Sequence, residues 1–191
     1  ASFIVAIIYV KLVSVMKGES IFYLIMSVFL SFFFLFAFYL FPNHELIHLS
    51  PETANRLVAS FPNLKWFILL LSNWSFSLFY VIAELWPSAV FALLFWQFVN
   101  KITSVDESKR FYPLFGLLGQ TGLYLTGTFL VNLQVINDYF TKIFSLGGSV
   151  SVVSIQIVMF VVTILGIIAL GAFWLLNHKI LDVATAENLQ F

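Results

Sequence analysis

Glu84 is the only charged residue between Lys65 and Lys101, and it stands in the apolar run NWSFSLFYVIAELWPSAVFALLFWQF. An ionisable side chain at bilayer depth is costly to leave in lipid. It usually faces a bundle interior or a wet cavity, where it can contact a solute, carry a proton or gate a path. Residues three or four apart share one helix face. Asn73, Ser77, Tyr80, Glu84 and Ser88 follow that spacing and would form a polar stripe turned toward protein or water rather than lipid. Pro87 comes shortly after Glu84. It has no N–H to offer the carbonyl of Ala83, so a helix kink is expected there. A free carbonyl beside a carboxylate is a feature of broken transporter helices near the membrane midplane. The plainer alternative is a protonated or hydrogen-bonded Glu that ties neighbouring helices together.

A second stripe follows. Tyr112, Gly116, Gln120, Tyr124 and Thr128 recur every four residues. Gln120 and Tyr124 are candidates for the same path, and Gly119, Gly122 and Gly127 suit close helix packing. Lys109 and Arg110 would stand at the cytoplasmic mouth, where they could attract an anionic solute or meet lipid headgroups. His44, His48 and His178 lack the acidic or third histidine partner that a metal site needs, and His44 and His48 fall in an expected loop. The chain has no cysteine, so thiolate metal sites and a cysteine nucleophile are excluded. No phosphate loop, dinucleotide fingerprint, GxSxG or HExxH is present. Enzymatic activity, a metal and a cofactor are therefore not expected.

These residues need helices that cross a bilayer. Of 191 residues, 61% are hydrophobic and 9% charged, with mean hydropathy +1.02. Soluble domains carry about 25% charged residues, so the composition implies an all-α integral membrane protein. Zero net charge gives no reason to expect a nucleic-acid partner. A span needs roughly 20 apolar residues. Residues 1–12 read as the tail of a helix whose beginning is missing, and 20–41 as a full span ended by Pro42. Ser50-Pro51-Glu52 reads as N-cap, N1 proline and acidic first turn of a short surface helix near 51–60. Residues 64–100 would measure about 55 Å as one helix, well beyond the roughly 30 Å hydrocarbon core. One long helix kinked at Pro87 is expected. Ser104 and Glu107 fit a capping box before a span at 109–133. INDYFTKIFSLGGS reads as a loop, 149–176 as the last span, and 183–191 as a polar tail. Residues 1–182 thus form one helical bundle. Lys11, Lys17, Lys101, Lys109, Arg110 and Lys179 fall on one side, and Arg56, Lys65 and Lys142 on the other. The excess places the first set in the cytoplasm.

The stretches FPNLKWFI, NWSFSLFYVIAELW, LLFWQFVNKIT and SKRFYPLFGLLGQTG resemble the nucleotide transporter family, the ATP/ADP translocases of obligate intracellular bacteria and plastids. The resemblance is clearest over residues 1–130. It implies a major-facilitator-like fold of which this chain is the N-terminal six-helix half without its first helix. It also implies an ATP-for-ADP antiporter in a bacterial inner membrane. The lipid bilayer and the missing remainder of the carrier would be its partners, and it would be inactive alone. Glu84 matches that family's functionally important glutamate of the fourth helix. Two other readings stay open: a proton-coupled carrier of another solute using Glu84, and a structural bundle that transports nothing.

Overall fold

The computed structural model describes residues 2–144 and 150–181. The expected polar tail at 183–191 lies outside them. Every regular element among the described residues is helical. Helix α1 (Ser2–Val15) is followed by α2 (Gly18–Leu35), which widens into π-helical turns at Phe36–Leu40. Pro42 has no N–H, and just before it the backbone loosens: Phe41 N donates to Phe36 O at 2.8 Å, one residue further back than in an α-helix. The short turn α3 (His44–Ile47) comes next, within the stretch expected to be loop. Helix α4 (Pro51–Ser60) starts at Ser50, whose Oγ accepts from Thr53 N at 3.3 Å. A 3-10 turn at Pro62–Leu64 leads into α5 (Lys65–Ser72) and α6 (Trp74–Trp86). Further π-helical turns at Pro87–Phe95 precede α7 (Trp96–Ile102). The chain continues through α8 (Val105–Val131), α9 (Leu133–Phe144) and α10 (Val150–Leu175), and the described part ends in π-helical turns at Leu176–Leu181.

Gly18–Leu40, Val105–Val131 and Val150–His178 are each long and apolar enough to cross a membrane. The pair Pro62–Ser72 and Trp74–Val90 forms a fourth candidate, bent by 75° at Asn73. The sharp turn in the long apolar segment therefore falls at Asn73. At Pro87 the helix continues as wide π turns instead of ending. A π turn accommodates the proline ring and its missing donor without parting the two halves. The stretch expected as a loop after α8 is also corrected. Residues 133–144 are helical, because Leu133, Ile136, Phe140 and Phe144 recur at helical spacing.

Helix α2 is the hub. Ile21, Met26 and Leu94 are buried together, with Tyr9, Leu12, Trp86, Val90 and Leu170 packed around them. These residues bring α1, α6, the Pro87–Phe95 turns and α10 onto α2. Aromatic rings fill the α2–α6 seam. Phe36 stacks on Phe79 at 4.1 Å, and Trp86 meets Phe29 and Phe33 edge-on at 5.2 and 5.5 Å. Such pairs contribute about 0.5–1.5 kcal/mol each beyond their buried area. On the other side Phe22 stacks on Phe173 of α10 at 3.9 Å. Gly166 permits the close approach of α10: a Cβ there would lie 2.4 Å from Leu30 Cδ2.

Candidate functional site

The α6 face that packs on α2 carries Phe79 and Trp86. Glu84 lies two residues before Trp86, about 200° around the helix at 100° per residue, and so points away from the packed side. It is exposed. No described residue hydrogen-bonds or ion-pairs with its carboxylate. Tyr80, one turn earlier, is 70% exposed, and Ser88, one turn later, is half-buried. These three residues form one polar strip that runs from α6 into the Pro87–Phe95 turns.

Asn73 and Ser77 belong to the same sequence stripe but do different work. Asn73 Nδ2 donates to Leu69 O at 3.1 Å. Ser77 Oγ donates to Leu70 O at 3.1 Å and to Asn73 O at 3.3 Å. A bend breaks the α-helical ladder, and the carbonyls there must still find donors. Leu69 O keeps its bond from Asn73 N at 3.3 Å, and Asn73 O accepts from Phe76 N and Ser77 N, so the Asn73 amide adds a second donor to Leu69 O while Ser77 Oγ serves Leu70 O.

The corner is also tied to the segment before α4. Trp74 Nε1 donates to Ile47 O at 3.1 Å, His48 Nε2 pairs with Ser75 Oγ at 2.7 Å, and Leu49 N donates to Ser72 O at 3.3 Å. His44 Nδ1 bonds Phe41 O at 2.7 Å, and Phe76 packs edge-on against the His48 ring at 4.6 Å. Burial, helped by the neighbouring His44, holds the His48 pKa below the ordinary histidine value. Both histidines thus serve the corner. Among the described residues no three His, Cys, Asp or Glu side chains gather as a metal site would require. This junction was not foreseen. Its signals were Asn73 and Trp74 inside an apolar run, and two histidines one helical turn apart.

Gln120 and Tyr124 are exposed on α8, Tyr124 at 74%. No hydrogen bond or ring contact joins either side chain to the Tyr80–Glu84–Ser88 strip. No residue of α8 is buried, and a Cβ at Gly116, Gly119, Gly122 or Gly127 would meet nothing within 4 Å. The described contacts of α8 with the preceding helix lie at its first turns: Tyr112 OH donates to Asn100 Oδ1, its ring lies 5.0 Å from that of Trp96, and Phe115 meets Phe95 at 5.6 Å. The helix starts with a cap in which Glu107 Oε2 accepts from Ser104 N at 3.0 Å and from Ser104 Oγ at 2.7 Å. Lys109 pairs with Asp106 at 3.4 Å, and Arg110 is exposed beside it.

The arrangement is that of a membrane bundle with one carboxylate on an uncovered helix face and a second long helix, α8, that buries no residue. A family model described as TLC ATP/ADP transporter matches residues 1–190. The chain is 65% identical over 191 residues to ADP,ATP carrier protein 4 of Rickettsia conorii, covering all of this chain and 37% of that relative. It is 64% identical over 190 residues to the ADP,ATP carrier protein 4 of Rickettsia bellii, covering 36% of it. It is 40% identical over 187 residues to ADP,ATP carrier protein 3 of Rickettsia conorii, covering 93% of this chain and 36% of the relative. No solved structure matches the chain.

Proposed function

Since this chain belongs to the TLC ATP/ADP transporter family, we propose that it is part of a carrier that exchanges ATP for ADP across a bacterial inner membrane, with Glu84 on the substrate path. The chain spans about 37% of the length of the relatives it matches, and the remainder of the carrier completes that path. The observation that carries the reading is the uncovered Glu84 carboxylate on the α6 face opposite α2. In lipid an acidic side chain at mid-span costs about 2.5–3.5 kcal/mol even on the milder insertion scale. A water-filled cavity between two halves of a carrier removes that cost, and transporter substrate sites lie at such interfaces.

The chemistry constrains the role. A carboxylate repels phosphate oxygens, so Glu84 does not bind the polyphosphate directly. It serves coupling or gating, through a cation, a proton or the hydroxyl and amino groups of the nucleoside. The exposed Tyr80 and the half-buried Ser88 extend the same face. Lys109 and Arg110 offer positive charge at the start of α8, where a nucleotide's phosphates would enter. Gln120 and Tyr124 contribute to the path once the rest of the carrier covers α8. In the intact carrier, Glu84→Gln should lower ATP/ADP exchange at least tenfold. Unchanged exchange rate and affinity would contradict the role. Labelled-ATP uptake that follows an imposed pH gradient instead of internal ADP would favour a proton-coupled carrier.

A further inference from the structure

We propose that α9 is an interfacial helix that lies in the headgroup layer of the bilayer, with Val135 and Tyr139 as its lipid-facing anchors. Residues 111–131 of α8 carry no charge, about the length that spans the hydrocarbon. Asn132 then ends the helix, and its Nδ2 donates back to Thr128 O at 2.8 Å. Leu133 thus begins α9 where the chain reaches the membrane boundary. The far side of α9 is fixed in the same way. About 20 residues counted back from Leu176 reach Ile157, so the preceding stretch VSVVSIQ of α10 stands at the same boundary. There Asn137, only 4% exposed, donates through Nδ2 to Ser154 Oγ, and Thr141 Oγ1 donates to Asn137 O. Phe140 shares an apolar groove of about 370 Å³ with Phe34, Phe38, Val153, Ile157 and Phe160.

These contacts use one side of α9 and leave two stripes open. Val135 and Tyr139, four residues apart, are 55% and 64% exposed. Asp138 and Lys142, also four apart, are exposed on the adjoining stripe. One apolar-aromatic stripe beside one charged stripe is the pattern of a helix lying in the interface plane, where a tyrosine ring settles at headgroup level. The occupant of the open apolar stripe is the bilayer, because α8 brings the lipid surface to the start of α9 and α10 brings it to Asn137 and Phe140 in its middle.

The test uses the absence of cysteine from the chain. Single cysteines at Val135, Tyr139, Asp138 and Lys142 are labelled with an environment-sensitive fluorophore. The chain, as part of the otherwise cysteine-free intact carrier, is then reconstituted in phosphatidylethanolamine–phosphatidylglycerol vesicles, with Leu123→Cys on α8 as a deep reference. Expected are quenching at Val135 and Tyr139 by lipids nitroxide-labelled near the headgroup, and several-fold stronger quenching by aqueous iodide at Asp138 and Lys142. Equal iodide access at all four positions would place α9 in water. Quenching at Val135 and Tyr139 chiefly by deeply labelled lipid, as at Leu123, would make α9 part of a span. Shielding of both from lipid and iodide would show that protein covers this face. Each of these three results overturns the proposal.

Discussion

At the scale of single residues, the polar side chains of the long apolar segment separate into two groups. Asn73 and Ser77 repair backbone at a bend, while Tyr80, Glu84 and Ser88 remain available to a path. The shared spacing was legible in sequence. The division was not, because a side chain that bonds a carbonyl four residues back has the same period as one that faces a cavity. Ser77→Ala would leave Leu70 O without its 3.1 Å donor and should destabilise the protein by about 1 kcal/mol, measured by thermal unfolding in detergent. No change would mean that water satisfies this carbonyl. His48 supplies a pH dependence. Its pKa is lowered by burial in the fold and by the neighbouring His44, so near and below the ordinary histidine pKa of about 6.5 the unfolded chain binds more protons. Stability should therefore be fully present above that pH and fall as pH drops through the lowered native value. His48→Gln should flatten this part of the stability curve. A curve that keeps its slope would assign the dependence to another group.

At the scale of elements, hydropathy marked apolar stretches that lie on long helices, two of which run into π turns, and side-chain chemistry located two helix starts. Ser50 with Pro51, and Ser104 with Glu107, are local signals that act through local bonds. The corner at Asn73 depends instead on partners 27 residues away in sequence, His48 to Ser75 and Ile47 to Trp74, which no window along the chain reveals. The missing N–H of Pro87 is visible in sequence and predicts a kink, but whether the backbone breaks or widens there depends on packing against α2. Helix α9 covers much of the stretch INDYFTKIFSLGGS that is expected as a loop. Its apolar residues at helical spacing, and the burial of Asn137 against Ser154, decide otherwise. Two predictions belong here. Replacing Asn73 by Leu together with Ser77→Ala removes the side-chain donors to Leu69 O, Leu70 O and Asn73 O at the corner. The distance between spin labels at the exposed Trp66 and Tyr80 should then lengthen as the 75° bend opens. An unchanged distance would show that the ties to Ile47 and His48 hold the bend unaided. Gly166→Val would drive a side chain into Leu30, whose Cδ2 lies 2.4 Å from a Cβ there. It should cost about 1–3 kcal/mol, with part recovered by adding Leu30→Ala. Absence of recovery would place the strain elsewhere.

At the scale of the whole molecule, the chain is a bundle organised on one side only. Helix α2 gathers α1, α6 and α10, whereas α8 buries no residue and Glu84 faces outward. Lipid can cover the apolar part of that surface, but not a carboxylate. The uncovered polar strip and the 37% share of its relatives' length together support a path completed by the rest of a carrier. Reconstituted alone, the chain should take up no labelled ATP above protein-free vesicles, and ADP-dependent uptake would show that it holds a complete path. The central claim is that Glu84 lines an aqueous route used by nucleotide. Its most direct test is Glu84→Cys in an otherwise cysteine-free intact carrier, probed in membranes with a charged, membrane-impermeant thiol reagent. The account predicts modification that ATP or ADP slows several-fold. A cysteine that stays unmodified in the membrane yet labels fully once the protein is denatured would contradict it.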